Sequence, residues 1–278
     1  MKIGIIGLGL IGGSLAIELR QLGHTILGVS RNPHTCQQAI ARQITHEASP
    51  DLQILTPAEV IFLCTPLGSI LPTVQALIPH LAPTTILTDV GSVKTPIVQA
   101  ITPLWHNFIG GHPMAGTAES GLDAALAGLF IDRPYVLTPT DTTPPEAIAT
   151  LTHLTQSLQS KTYQCRPEDH DRAVALISHL PVMISANLIT TCTAEPTVLE
   201  LAQKLASSGF QDTSRVGGGN PELGVMMAKY NQPELLRSLH TYRHQLDQLI
   251  QHIEQQNWTE LENILTQTQH DRPPFLIP

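Results

Sequence analysis

The opening residues constrain this chain more than any other stretch. Lys2-Ile3-Gly4-Ile5-Ile6 is an apolar run of strand length, Gly7 to Gly13 is a turn dense in glycine, and Leu15-Ala16-Ile17-Glu18-Leu19 reads as helix. Strand, glycine turn and helix in that order make the fingerprint of a dinucleotide site. Gly7 permits a sharp turn off the strand, Gly9 lets the backbone approach a pyrophosphate, and Gly12 lets the helix pack on the sheet. Leu10 and Ile11 open the helix and present free N–H groups to the phosphates. A second strand, Thr25 to Val29, leads into Ser30-Arg31, where NAD-binding units carry an acid for the ribose hydroxyls. A hydroxyl and a cation suit a 2′-phosphate, which predicts NADP as cofactor.

The first half alternates short apolar strands with helical stretches, the pattern of a doubly wound α/β sheet of Rossmann type. Strands are expected at Lys2 to Ile6, Thr25 to Val29, Val60 to Cys64, Ile86 to Asp89, Asn107 to Ile109, Tyr135 to Leu137 and Lys161 to Gln164. The loops after the first four, with Thr65 and Pro66 opening the third, should converge on one crevice at the carboxyl edge of the sheet.

From about Pro167 the pattern becomes helical, so residues 1–166 are read as the dinucleotide-binding domain and 167–278 as an all-α domain for substrate and dimerisation. The segment Asp169 to Thr191 is apolar on nearly every face, which predicts burial all round, with a kink beside His179 where Pro181 removes a helical hydrogen bond. Helix starts are expected at Pro196, at Pro221 after Asn220, at Pro233 with Asn231 as cap, and at Asn257 with a capping box to Glu260. Leu235, Leu239, Tyr242, Leu246, Leu249 and Ile253 form a seam that needs a helical partner. A helical half this small cannot hide so much apolar surface, so a homodimer is predicted.

Charged residues make up 14% of the 278, against roughly 25% in an average soluble protein, and the formal charge is −8. With no basic stripe, nucleic acid is not expected as a partner. Cys36, Cys64, Cys165 and Cys192 form no CxxC pair and are read as reduced thiols of a cytoplasmic protein. No apolar run reaches the roughly 18 residues of a membrane span, so no membrane partner is expected. His240 and His244 lack a third ligand at useful spacing, so no metal is expected.

Chemistry concentrates in three runs: Asp89 to Lys94 (DVGSVK), Gly110 to Gly116 (GGHPMAG) and Gly209 to Val216, which contains Asp212-Thr213-Ser214-Arg215. His112 follows a strand between glycines and a proline, so its ring should project from a rigid turn and accept a proton while a nicotinamide accepts hydride. Ser92 follows a strand in the same crevice, where it can cap the next helix and hydrogen-bond His112. Arg215 offers a planar bidentate contact to a carboxylate, and Gly217-Gly218-Gly219 beside it imply a close backbone approach.

Together with Gly7 to Ser14 (GLGLIGGS) and Ser178 to Pro181 (SHLP), these runs resemble, in order from end to end, the prephenate and arogenate dehydrogenases of tyrosine biosynthesis. The resemblance implies a small-molecule substrate and the NADP-dependent oxidative decarboxylation of a cyclohexadienol. His112 matches the family's catalytic histidine and Ser92 the serine that orients it. His179 and Arg215 match positions that hold the ring carboxylate, which departs as carbon dioxide. Prephenate-using members often read SHLPH, whereas Val182 stands here in place of the second histidine. That departure favours L-arogenate, giving L-tyrosine, over prephenate, giving 4-hydroxyphenylpyruvate. The cofactor unit begins at residue 1 and little follows Gln269, so neither a fused mutase nor a regulatory domain is expected. The competing readings are an imino acid reductase or β-hydroxyacid dehydrogenase, and a non-catalytic NADP-sensing protein, which needs neither His112 nor Arg215.

Overall fold

Eight strands make one sheet: β1 (Lys2–Ile6), β2 (Thr25–Val29), β3 (Glu47–Ser49), β4 (Val60–Leu63), β5 (Ile86–Asp89), β6 (Phe108–Pro113), β7 (Pro134–Thr138) and β8 (Lys161–Gln164). Their spatial order is β3-β2-β1-β4-β5-β6-β7-β8. All neighbours are parallel except β6 and β7. The computed structural model describes residues 1–117 and 119–276. Two compact units emerge from it, Met1–Gln232, which holds the whole sheet, and Pro233–Pro278.

The central strands are apolar at successive positions because both faces of the sheet are covered. Ile3 and Ile5 of β1 and Val60 and Phe62 of β4 enter one core, while Ile6, Ile61, Leu63 and Leu87 enter the other. The covering helices are α1 (Leu10–Gln21), α2 (Pro33–Ala41), α3 (Leu67–Leu77), α4 (Thr95–Ile101) and α5 (Pro145–Ser157). Strand order reverses between β1 and β4, which sets the loops after these two strands side by side as the ligand crevice of such a sheet.

Two features depart from expectation. β3, a polar strand of three residues, carries no apolar signal. β6 runs through Pro113, so His112 sits within a strand and not on a turn. Beyond Ile109 this strand leaves β5 and pairs antiparallel with β7, with His112 opposite Val136. Gly110 and Gly111 look like breakers in sequence. Here they are required by packing, since a Cβ on Gly111 would lie 2.6 Å from the Asp89 carbonyl oxygen.

After β8 the chain is helical throughout its described residues: α6 (Pro167–Val174), a π turn (Ala175–His179), α7 (Leu180–Thr193), α8 (Leu199–Leu205), α9 (Ser208–Ser214), a 3₁₀ turn (Arg215–Gly218), α10 (Pro221–Tyr230), α11 (Gln232–Glu254) and α12 (Trp258–Asp271). The expected kink takes the form of the π turn, in which the Leu180 N–H bonds the Ala175 carbonyl. Pro181 supplies no N–H, and its ring would press on the Ile177 carbonyl in a regular helix, a conflict that a wider turn relieves. All-round burial is not found. Leu176 and Ile177 are exposed and Ser185 is the one fully buried residue of α7. Contrary to expectation, the continuous run Pro167–Thr193 is long and apolar enough to cross a membrane by length and composition. Its buried His170 and Asp171 are instead hydrogen-bonded to the sheet unit.

The Asn220 side chain caps α10 and that of Asn257 caps α12, as expected. Pro196 lies in a turn, and α8 starts at Leu199. In the second unit, Tyr242, Leu246 and Ile253 of the seam, together with Ile250, Trp258 and Leu265, stay exposed in the single chain.

Candidate active site

The glycine turn has the geometry the fingerprint requires. Gly7 has φ +97°, and a Cβ there would lie 2.5 Å from the Cys64 carbonyl oxygen; on Gly12 it would lie 2.0 Å from the Gly7 carbonyl oxygen. The turn at Gly7 is thus packed backbone to backbone against both α1 and the residue that follows β4. Gly9, by contrast, faces open space, and as N-cap of α1 it leaves the first-turn N–H groups without a side-chain partner. Across the switch point, the Thr65 hydroxyl is buried without a hydrogen-bond partner. An open cradle, an uncapped helix N-terminus and an unpaired hydroxyl fit a nucleotide's phosphates. Ser30 and Arg31 directly follow β2, and Arg31 is exposed.

The second half of the site is a buried polar network around His112. Its Nδ1 lies 2.8 Å from Nε2 of His170, whose Nδ1 lies 2.8 Å from Oδ1 of Asp171. That carboxylate accepts the backbone N–H groups of Lys94 at 2.7 Å and Thr95 at 2.8 Å. Asp171 therefore caps α4, the task expected of Ser92. Burial would raise the Asp171 carboxyl, but its hydrogen bonds from His170, Thr95 and Lys94 outweigh this and hold it below the ordinary range. Lys94, wholly buried, pairs with Asp89 and donates to the Gly111 carbonyl at 2.7 Å, fixing the backbone next to His112.

Burial, reinforced by His170, Lys94 and His179, pushes the His112 imidazole well below its usual range, so the ring is neutral near pH 7. Its Nε2 has no hydrogen-bond partner among the described residues. No hydrogen bond joins Ser92 to His112 among the described residues; Ser92 is half-buried on the loop after β5.

His179, at the end of the π turn, is fully buried, and burial lowers its pKa to about 4. The Asn231 amide nitrogen donates to its Nδ1 (3.1 Å) and to the Asp171 carbonyl (2.8 Å). Asn231 is thus a site residue where a helix cap was expected. Because an amide nitrogen only donates, the proton of neutral His179 sits on Nε2, which is buried without a partner. Arg215 stands exposed on the 3₁₀ turn, without an ion pair among the described residues. That turn is seated on α7: the Gly217 N–H bonds Ser185 Oγ at 2.8 Å, and a Cβ on Gly217 would lie 2.3 Å from the Ala186 nitrogen. The close approach anticipated at these glycines is to α7.

Two family models cover most of the chain, the prephenate dehydrogenase nucleotide-binding domain over residues 15–164 and the prephenate dehydrogenase dimerization domain over 166–267. The chain belongs to the prephenate dehydrogenase family. Among its relatives, the crystal structure of Synechocystis arogenate dehydrogenase matches with a TM-score of 0.92 and 57% identity, covering 99% of this chain and 100% of that one. Prephenate dehydrogenase from A. aeolicus, in complex with hydroxyphenyl propionate and NAD+, matches with a TM-score of 0.93 and 25% identity over 99% and 98% of the two chains. Cyclohexadienyl dehydrogenase of Zymomonas mobilis is 31% identical over 240 residues, 84% of this chain and 82% of the relative. As a prephenate dehydrogenase family member the chain is an oxidoreductase, with a Rossmann-type nucleotide-binding domain followed by a helical one.

Proposed function

We propose that this protein oxidises L-arogenate with NADP+, releasing carbon dioxide and yielding L-tyrosine and NADPH, and that it does so as a homodimer with residues 1–166 binding nucleotide and 167–278 serving substrate and dimerisation. The observation that carries the reading is a buried, neutral His112 with a free Nε2, in a chain 57% identical to an arogenate dehydrogenase over its whole length.

Gly7, Gly9, Leu10, Ile11 and Gly12 would hold the pyrophosphate, with Thr65 and Pro66 across the switch point. Ser30 and Arg31 would bind the 2′-phosphate. A nicotinamide held there would supply a hydride acceptor for the ring carbon that carries the hydroxyl. His112 Nε2 takes the hydroxyl proton as the O–H electron pair forms the second bond to the ring carbon; when the carboxylate leaves as carbon dioxide its C–C electron pair enters the ring, and the oxygen takes the proton back from His112 to give the phenol. Ser92, half-buried on the loop after β5, would lie near the nicotinamide and help orient His112. His179, with its unpaired Nε2–H, and Arg215, with its free guanidinium, hold the ring carboxylate until it leaves. Aromatisation drives the reaction, so the protein contributes alignment and charge placement.

Val182 carries no polar group for a side-chain keto acid, which supports arogenate over prephenate. Initial rates for arogenate and prephenate, each with NADP+ and NAD+, test the reading. The highest kcat/KM is expected for arogenate with NADP+, and Arg31→Ala should narrow the NADP+ preference. Equal use of NAD+ by the wild type would overturn the cofactor assignment; faster turnover of prephenate would overturn the substrate.

A further inference from the structure

The chain from His112 to Asp171 has a direction that the chemistry of its atoms decides. The Asp171 carboxyl accepts a backbone N–H on each oxygen, bonds that favour its ionised, acceptor-only form, and His170 Nδ1 then donates to it. With a single N–H on the His170 ring, spent on Asp171, its Nε2 is left as an acceptor. His112 Nδ1 must then donate to His170, and His112 Nε2 is left as a bare lone pair.

We infer that His170 and Asp171 are positioning residues for the proton transfer: they lock His112 in the tautomer whose Nε2 can accept, and they place a carboxylate behind the ring to answer the charge it gains. This deepens the functional reading above and rests on His112 being the base. When Nε2 takes the hydroxyl proton, His112 becomes an imidazolium whose Nδ1–H donates to His170 Nε2, with the Asp171 carboxylate on the far side of that ring. The arrangement is the logic of an Asp-His-Ser triad with a histidine in place of the serine, the end group receiving a proton instead of losing one. No residue of the glycine fingerprint takes part, and Ser92 is not needed to set the tautomer. The charged and titratable groups that face His112 are His170 and His179 from the helical run, Lys94 from the start of α4 and, one contact removed, Asp171 and Asp89.

Two substitutions separate this role from simple packing. His170→Phe keeps a ring but strands the His112 Nδ1–H without an acceptor, whereas His170→Gln puts an amide oxygen where Nε2 was. With arogenate and NADP+, His170→Phe should lower kcat by about 10²-fold or more, with KM and NADP+ affinity within about threefold; His170→Gln should recover most of that loss. In the resting wild type, ¹⁵N NMR, with the His112 signals assigned by their loss in His112→Asn, should show the proton on Nδ1 from pH 6 to 8. His170→Phe should shift that population toward Nε2–H. A wild-type His112 protonated on Nε2, or a His170→Phe enzyme with wild-type kcat, overturns the inference. If His170→Phe does not fold, the wild-type tautomer and the His170→Gln rate decide. A wild type that turns over neither substrate defeats the functional reading, and the tautomer measurement still tests the positioning claim separately.

Discussion

The Lys94 amide donates to the Asp171 carboxylate at 2.7 Å, tying the N-terminus of a sheet-covering helix to a residue 77 positions away on the first helix after the sheet. Replacing Asp171 with alanine leaves the N–H groups of Lys94, Thr95 and His170 without their acceptor in a buried place. A loss of roughly 3–5 kcal/mol in urea unfolding is expected. Asn should recover only part of it, because its NH₂ group faces a donor. A loss under about 1 kcal/mol for Asp171→Ala would contradict this account.

Stability should fall on acidification from neutral pH. His179 is depressed to about 4 in the folded protein and His112 is also lowered, whereas in the unfolded chain both titrate near pH 6.5. Between pH 6.5 and 4 the unfolded state binds more protons, so stability rises with pH. It is complete above about 6.5 and is lost as pH falls through the folded values. The expected loss from pH 7 to 4 is on the order of a few kcal/mol in urea midpoints, and His179→Gln should flatten the profile. The same depression of His112 predicts an acid limb of kcat/KM lying well below the ordinary imidazole range.

Gly217→Ala tests whether Arg215 depends on its seat. The added Cβ, 2.3 Å from the Ala186 nitrogen, must push the 3₁₀ turn off α7. KM for arogenate should rise about tenfold or more with NADP+ affinity unchanged, since a shift of an ångström can cost 10²-fold. An unaltered KM would detach Arg215 from substrate binding.

Gly12→Ala attacks the other half of the site. Its Cβ would stand 2.0 Å from the Gly7 carbonyl oxygen, a clash between backbones that no rotamer relieves. NADP+ binding measured by fluorescence titration should weaken at least about tenfold, while Gly9→Ala, which faces open space, should fold normally.

What was legible in the sequence was local. The apolar run, the glycines and the following helix occupy neighbouring positions, so the nucleotide half could be read directly. His112 was found by its place after a strand, yet β6 continues through it because β7 supplies a partner that no local pattern announces. His170 and Asp171 carry no signal of their own, because they stand at the start of a segment whose pattern is dominated by apolar residues, and Asp171 lies beyond the first turn of α6, where an acid would answer the helix dipole. Asn231, just before a proline-led helix, looked like a cap. In each case the local pattern hid a partner more than fifty residues away.

The π turn also bears on how relatives should be aligned. His170 and His179 are nine positions apart, which in a regular α-helix sets them about 180° around the axis. The turn Ala175–His179 absorbs one residue, bringing them to about 80° and letting both reach the surroundings of His112. A relative one residue shorter in this stretch would have an unbroken helix with the two histidines in the same places. A single gap here therefore marks the loss of a bulge and leaves the correspondence of the histidines intact.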